Sequence, residues 1–479
     1  QYYKGNPAIS NVTITNTTVE TGEKLRVAGD WDNNGTFNHT NQLIFDGANQ
    51  AVSGSDFHDA FFQGTGSKTL GGNINLSGGL IIAQDVTLDV STGNYNIAVE
   101  ENFHNDSAGT FLAREGTFIF KGDNSYLWTG MGNDPRDGYT EHLDATAGTK
   151  DFYTLEIETD PGDEVFLRGD LVVQNNLIIT QGGLRASYDP NNYGVNDVTI
   201  GGDYSNEGVV SYFNYGGTFT LNASSGSHTF GPGQGSYPDV VFDAAGAAYT
   251  LASDFTGHND CSFTINNGAL SNTAHSITLN GASGNFTLNS GSFTLDSAAV
   301  LHVDDNATIT NNGGNFYITG DDQNPASIAP TAGNYSFVQL SGALAARHYS
   351  IDGLQGSGMD IQGGTIDNTL NFSDGIFSNG TGTAYLDLTA YDFGAGETIT
   401  NVTFMDGPTY NVARTSGNGA VTFENASGTL AGENHDNDNA DPGSLIEWTY
   451  PGAAFWVGLS ATDNTDWHDK DNWSSGSVP

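Results

Sequence analysis

The feature that most constrains this chain is the shortness of its apolar runs. They are a few residues long, they alternate apolar with polar, and Gly, Asn, Asp or Ser closes nearly every one. Leu43-Ile44-Phe45, Val86-Thr87-Leu88, Phe118-Ile119-Phe120, Tyr153-Thr154-Leu155-Glu156-Ile157 and Leu171-Val172-Val173 are early examples. The middle of the chain repeats the form at Phe263-Thr264-Ile265, Ile277-Thr278-Leu279, Phe286-Thr287-Leu288, Phe293-Thr294-Leu295 and Val300-Leu301-His302-Val303. A run of this kind is a strand with one face turned inward. Asn266-Asn267-Gly268, Asn280-Gly281 and Asn311-Asn312-Gly313 supply the turns between strands. No Ala/Leu/Glu/Lys stretch keeps a helical period, so the chain is expected to be all-β.

Two architectures accommodate such a rhythm. One is a right-handed parallel β-helix, a solenoid with three short strands per coil and about 20–25 residues in each. The alternative is a string of β-sandwich domains. The solenoid is preferred, because the turns are evenly small and Asn and Gly sit where left-handed corners need them. It also explains how 479 residues form one continuous body, since each coil packs only on its neighbours.

Charge narrows the partners. There are 56 acidic and 13 basic residues, a formal net charge of −43. Nucleic acid is excluded as a partner, because phosphate binding needs clustered Lys and Arg; an anionic membrane face is excluded for the same reason. Negative charge keeps a large chain in solution and suits calcium or other cations. Cys261 stands alone, so no intrachain disulfide exists, and beside Phe263 it reads as a small core residue. No run approaches the roughly 18 apolar residues of a transmembrane segment. The chain opens on Gln1-Tyr2-Tyr3-Lys4 without a signal peptide, so a mature form or an excerpt of a longer chain is expected.

A larger pattern recurs. Gly29-Asp30-Trp31-Asp32-Asn33-Asn34-Gly35-Thr36-Phe37 precedes Leu43-Ile44-Phe45-Asp46-Gly47. Phe103 through Phe111 precedes Gly116-Thr117-Phe118-Ile119-Phe120-Lys121-Gly122, and Gly202-Asp203-Tyr204-Ser205-Asn206-Glu207-Gly208 precedes Gly217-Thr218-Phe219-Thr220-Leu221. Each copy is an aromatic, then Asn and Gly, then an aromatic strand. The closing residues run Phe455-Trp456-Val457-Gly458, Asp466-Trp467, Asn472-Trp473 and Val478-Pro479. Together these motifs resemble the large repetitive cell-surface adhesins of Bacteroidetes, including those of gliding species. That resemblance implies export by type IX secretion, an extracellular place on the bacterial cell surface, and a role in adhesion or filament building. It divides the chain into a β-helix module at 1–450, with an insertion near 124–150, and the start of a following module at 451–479. Partners would be neighbouring modules, other surface proteins or surface polysaccharide.

Candidate sites are few. Glu433, Asp436, Asp438 and Asp441 alternate with Asn and offer hard oxygens to a Ca²⁺ ion, although their spacing departs from an EF-hand loop. Asp463, Asp466, Asp469 and Asp471 surround Trp467 and Trp473, and Asp134, Asp137, Glu141 and Asp144 follow Trp128 in the insertion. Tyr126 or Trp128 would serve a carbohydrate contact, against burial as the plainer fate. Asp106-Ser107-Ala108 and Asp296-Ser297-Ala298 resemble the O-glycosylation motif of Bacteroidetes, which marks Ser107 and Ser297. For catalysis no carboxylate pair stands out, Arg168, Arg185, Arg347, Arg414 and Lys470 are scattered, and no nucleophile elbow or zinc spacing is present. The expected function is a non-enzymatic structural or adhesive module. The alternatives are a secreted β-helix glycoside hydrolase or lyase and a non-catalytic carbohydrate-binding module.

Overall fold

The computed structural model describes residues 8–54, 56–106, 108–122, 125–128, 151–167, 169–186, 196–210, 217–235, 237–281, 283–438 and 445–450. Among them the chain is strand throughout, with a single 3-10 turn at Glu433–His435. It forms a right-handed parallel β-helix of about 17 turns. The strand pairs are parallel, so the string of antiparallel sandwiches is not the fold. Two compact units result: Gln1–Thr294 with Val300–Ala307, and Leu295–Ala299 with Thr308–Pro479.

In the first unit, alternation in each short run decides which residues stack. Ile74, Ile97, Phe118, Leu155, Leu177, Tyr204 and Phe230 occupy one inward position through seven successive coils, and all are buried. Between them, Asn75, Ile119, Glu156, Ile178 and Ser205 form the outward column, with the buried Ala98 in the same register. Each coil thus removes several apolar side chains from water, at about 25 cal/mol per Å² of apolar surface. The recurring aromatic motif proves to be a cluster spanning one cross-section of the core. Trp31 meets Phe37 edge-on with ring centroids 4.8 Å apart, Phe103 meets Phe118 at 4.8 Å and Phe111 at 5.7 Å, and Tyr204 meets Phe219 at 4.9 Å.

Corners are held by acids and amides. The Asn73 Oδ1 accepts the Asn96 N–H at 2.9 Å, and the Asn96 Oδ1 accepts the Thr117 N–H at 3.0 Å. Asp170, Asp197 and Thr218 repeat the relay at 3.0 and 2.8 Å, as do Asn176, Asp203 and Thr229 at 2.9 and 2.7 Å. A backbone N–H leaving a strand at a corner has no ladder partner and costs free energy if left bare. A short carboxylate or amide one coil away supplies it. At the tightest corners only glycine fits: Gly291 has φ 77, and a Cβ there would lie 2.0 Å from the Gly268 carbonyl oxygen.

In the second unit the inward column Ile328, Ile351, Phe377 and Phe404 is stacked in the same way. Its corners use a different pairing. Asn379 donates to Asp352 at 2.6 Å, Asn401 to Asp374 at 2.7 Å and Asn418 to Asp392 at 2.8 Å. Asp374, Asn401 and Asn425 all adopt the left-handed backbone, with φ of 59, 57 and 57, which Asn and Asp tolerate better than other side chains.

Candidate functional site

The acidic turn singled out for calcium lies on the last described coils of the second unit. Asp436 Oδ2 accepts the Trp448 indole N–H at 2.6 Å. Asp438 is buried, and its Oδ2 faces the Leu445 and Ile446 amides at 3.4 and 3.5 Å. Glu433 opens the 3-10 turn, and Asp441 lies outside the described residues. Asp436 and Asp438 are therefore engaged by the protein itself. Among the described residues, no group of three or more His, Cys, Asp and Glu side chains is arranged to hold a metal ion.

The other candidates fall as follows. Ser107, the acidic cluster at 134–144 and the residues at 463–473 lie outside the described residues. Tyr126 and Trp128 belong to strand Ser125–Trp128, between Phe103–Asn105 and Glu164–Leu167. Ser297 is half-buried, and its N–H bonds to the Asp296 carboxylate at 2.7 Å; the Gln323 and Asn324 amides, and least of all the Ser297 hydroxyl, hold the nearby Asp321 carboxyl below its ordinary pKa. Cys261 is buried, as its place beside Phe263 implied. Its thiol donates to the Pro238 carbonyl at 2.9 Å, and burial pushes its pKa up to about 12. A thiol that remains protonated is a poor nucleophile.

One carboxyl pair has chemistry of its own. Glu156 and Glu158 sit two residues apart on strand Thr154–Glu158. Glu156 is stacked between Ile119 and Ile178, so burial first, and the hydrogen-bonded Glu158 second, raise its pKa. Lys121 Nζ lies 3.3 Å from Glu158 Oε2.

Four arginines share one use; Arg185 and Arg347, which read as scattered in the sequence, are among them, and Arg168 and Lys470 lie outside the described residues. Arg26 pairs with Asp46, Arg114 with Asp89 at 2.8 Å, Arg185 with Glu164 at 3.4 Å and Arg347 with Asp374 at 2.9 Å. Each of these pairs joins neighbouring coils.

Two further cations were not foreseen. Lys68 is wholly buried and donates to the carbonyls of Gly47, Ala48 (3.4 Å) and Thr65 (3.2 Å). Desolvation pushes its pKa down to about 8 despite Asp46 nearby. Arg414 is also wholly buried. It donates to Gly419 O at 2.6 Å, Leu445 O at 2.8 Å and Asn418 O at 2.8 Å, and its guanidinium lies 4.9 Å from the Phe393 ring centre. Parity carried the signal for Lys68, which shares its face with the buried Leu70; Arg414 follows a strand end where Asn411, Val412 and Ala413 are all buried, so alternation gave no sign of it. No protein-family model matches the chain, and no curated protein or solved structure shows significant similarity to it.

Proposed function

We propose that this chain is an extracellular structural and adhesive module of a large repetitive bacterial surface protein, acting as a passive spacer and not as a catalyst. The observation that carries the reading is the use made of the polar side chains. Arg and Lys bridge coil to coil, and Asp and Asn close the corners as backbone acceptors or as side-chain pairs. An excess of acid explained by corner chemistry calls for no acidic active site. The aromatic–Asn–Gly motifs and their resemblance to Bacteroidetes adhesins favour the cell surface and export by type IX secretion.

The test has two arms. Antibody raised against the chain should label intact cells, and the purified chain should leave acidic and neutral polysaccharides undegraded. Reproducible depolymerisation would replace this reading with a β-helix hydrolase or lyase. Binding on a glycan array without turnover would make the module a carbohydrate-binding one. Attachment of O-glycans at Ser107 and Ser297 is read from intact mass, where the bare polypeptide value dismisses it. Calcium dependence is read from melting with and without a chelator, where an unchanged midpoint dismisses it.

A further inference from the structure

Residues 410–438 and 445–450 close a circuit of hydrogen bonds around the last described strand, Ile446–Thr449. On one side, this strand pairs with Val421–Glu424. On the other, the turn that precedes it is fastened to strand Tyr410–Ala413. The buried Asn411 side chain donates to Leu430 O at 2.6 Å and Gly432 O at 3.2 Å. Farther along, Asn437 N donates to Val412 O at 2.9 Å, and Arg414 N donates to Asn437 O at 2.8 Å. From this fastened turn, Asp436 reaches the Trp448 indole and Asp438 faces the amides that open the strand. Arg414 reaches the same point from below, through Leu445 O. Trp448 is stacked on Phe423 at 4.8 Å, with 21° between the rings.

We propose that the segment Gly432–Asp438 is a latch that keeps the last described strand from peeling off the solenoid, with Asp436 and Asp438 as its hooks and Arg414 as its anchor. Among the described residues this four-residue strand has one ladder neighbour, Val421–Glu424, and a short strand held on one side opens readily. Hooks built from charged acceptors are stronger than neutral ones, and a stacked indole held at both its ring and its N–H resists sliding.

The latch is a property of this coil and does not depend on what the module binds. It is tested by hydrogen exchange with mass-spectrometric readout on the full chain, in wild type, Asp436→Ala, Asp436→Asn, Asp438→Ala and Asp438→Asn, each with and without chelator. Both alanine variants should lose protection across 445–449 by roughly ten- to a hundred-fold, while Ala384–Asp387 keeps its protection. The asparagine variants should keep most of it, since a carboxamide oxygen still accepts. Unchanged exchange in both alanine variants overturns the latch. So does a wild-type strand released by the chelator together with asparagine variants as weak as alanine, which would assign the two carboxylates to a bound cation. Polysaccharide turnover, which would defeat the spacer reading, moves neither result. A double Asp436→Ala, Asp438→Ala chain pulled from its C-terminal side should yield at lower force than wild type, and equal force also overturns the proposal.

Discussion

The coils around Lys68 and those around Arg414 solve one problem with different chemistry. Each buries a full positive charge completely, and each meets that charge with backbone carbonyls instead of a carboxylate. Lys68 is a compact ammonium that desolvation brings within reach of deprotonation, at about 8. Desolvation lowers the pKa of Arg414 as well, but a delocalised guanidinium starts so high that it remains charged at any ordinary pH. Its planar fork also gathers three carbonyls, from the adjacent 418 and 419 and from 445, and so ties two segments together. The same fold therefore contains a corner that answers to pH and a corner that does not.

The largest effect should come from removing the fork. Arg414→Ala leaves its carbonyls without their donor and Phe393 without its partner, a local loss of ~3 kcal/mol or more. Exchange protection of Val421–Glu424 and Ile446–Thr449 reads it, and Arg414→Lys should recover only part of it. Local exchange is the proper measure, because a long repeat array does not unfold as one two-state body. Lys68→Met should cost less, ~2 kcal/mol at neutral pH, since removing the ammonium also removes its desolvation cost. If the lysine variant loses as much as the arginine variant, the distinction between the two corners fails.

A titration sharpens the comparison. The Lys68 ammonium has a folded pKa of about 8 against an ordinary lysine value of 10.5. Between these values the unfolded chain holds the proton more tightly, so stability contributed by this site rises with pH across that window. Below pH 8 the full cost of the buried charge remains. The gain is at most ~3 kcal/mol, and protection of Gln42–Phe45 and Gly66–Leu70 in wild type relative to Lys68→Met should follow it. Protection around Arg414 should show no such slope. The smallest effect belongs to an ordinary corner with no buried charge. Asp197→Ala removes the acceptor for the Thr218 N–H and should cost ~1 kcal/mol, and Asp197→Asn should restore it. Local exchange at Thr218–Leu221 checks both.

Much of this fold was legible in the sequence, for a reason visible in particular residues. Phe118, Phe120 and Ile119 alternate in, in and out because a strand repeats every two residues, so period alone assigns their faces. The aromatic motifs at Trp31, Phe103 and Tyr204 were legible as recurrences, and their meaning as core clusters came with the coil. The acidic turn was legible only as acid. Asp436 and Asp438 are read as metal ligands when nothing says what lies opposite, and Trp448 and the Leu445 and Ile446 amides become their partners once the coil closes. Arg414 reads in the sequence as one of several scattered charges, and Lys68 is marked only by standing two residues before Leu70 on the inward face of its strand.

What the sequence by itself determined is the strand rhythm, the inward and outward faces, and the corners where Asn, Asp and Gly turn the chain, because these depend on residues a few positions apart. The tertiary structure alone decided which side chains answer one another. Arg114 and Asp89, or Asp197 and Thr218, lie more than twenty residues apart. Only the length of each coil, loops included, brings them into register, and no local pattern encodes that length.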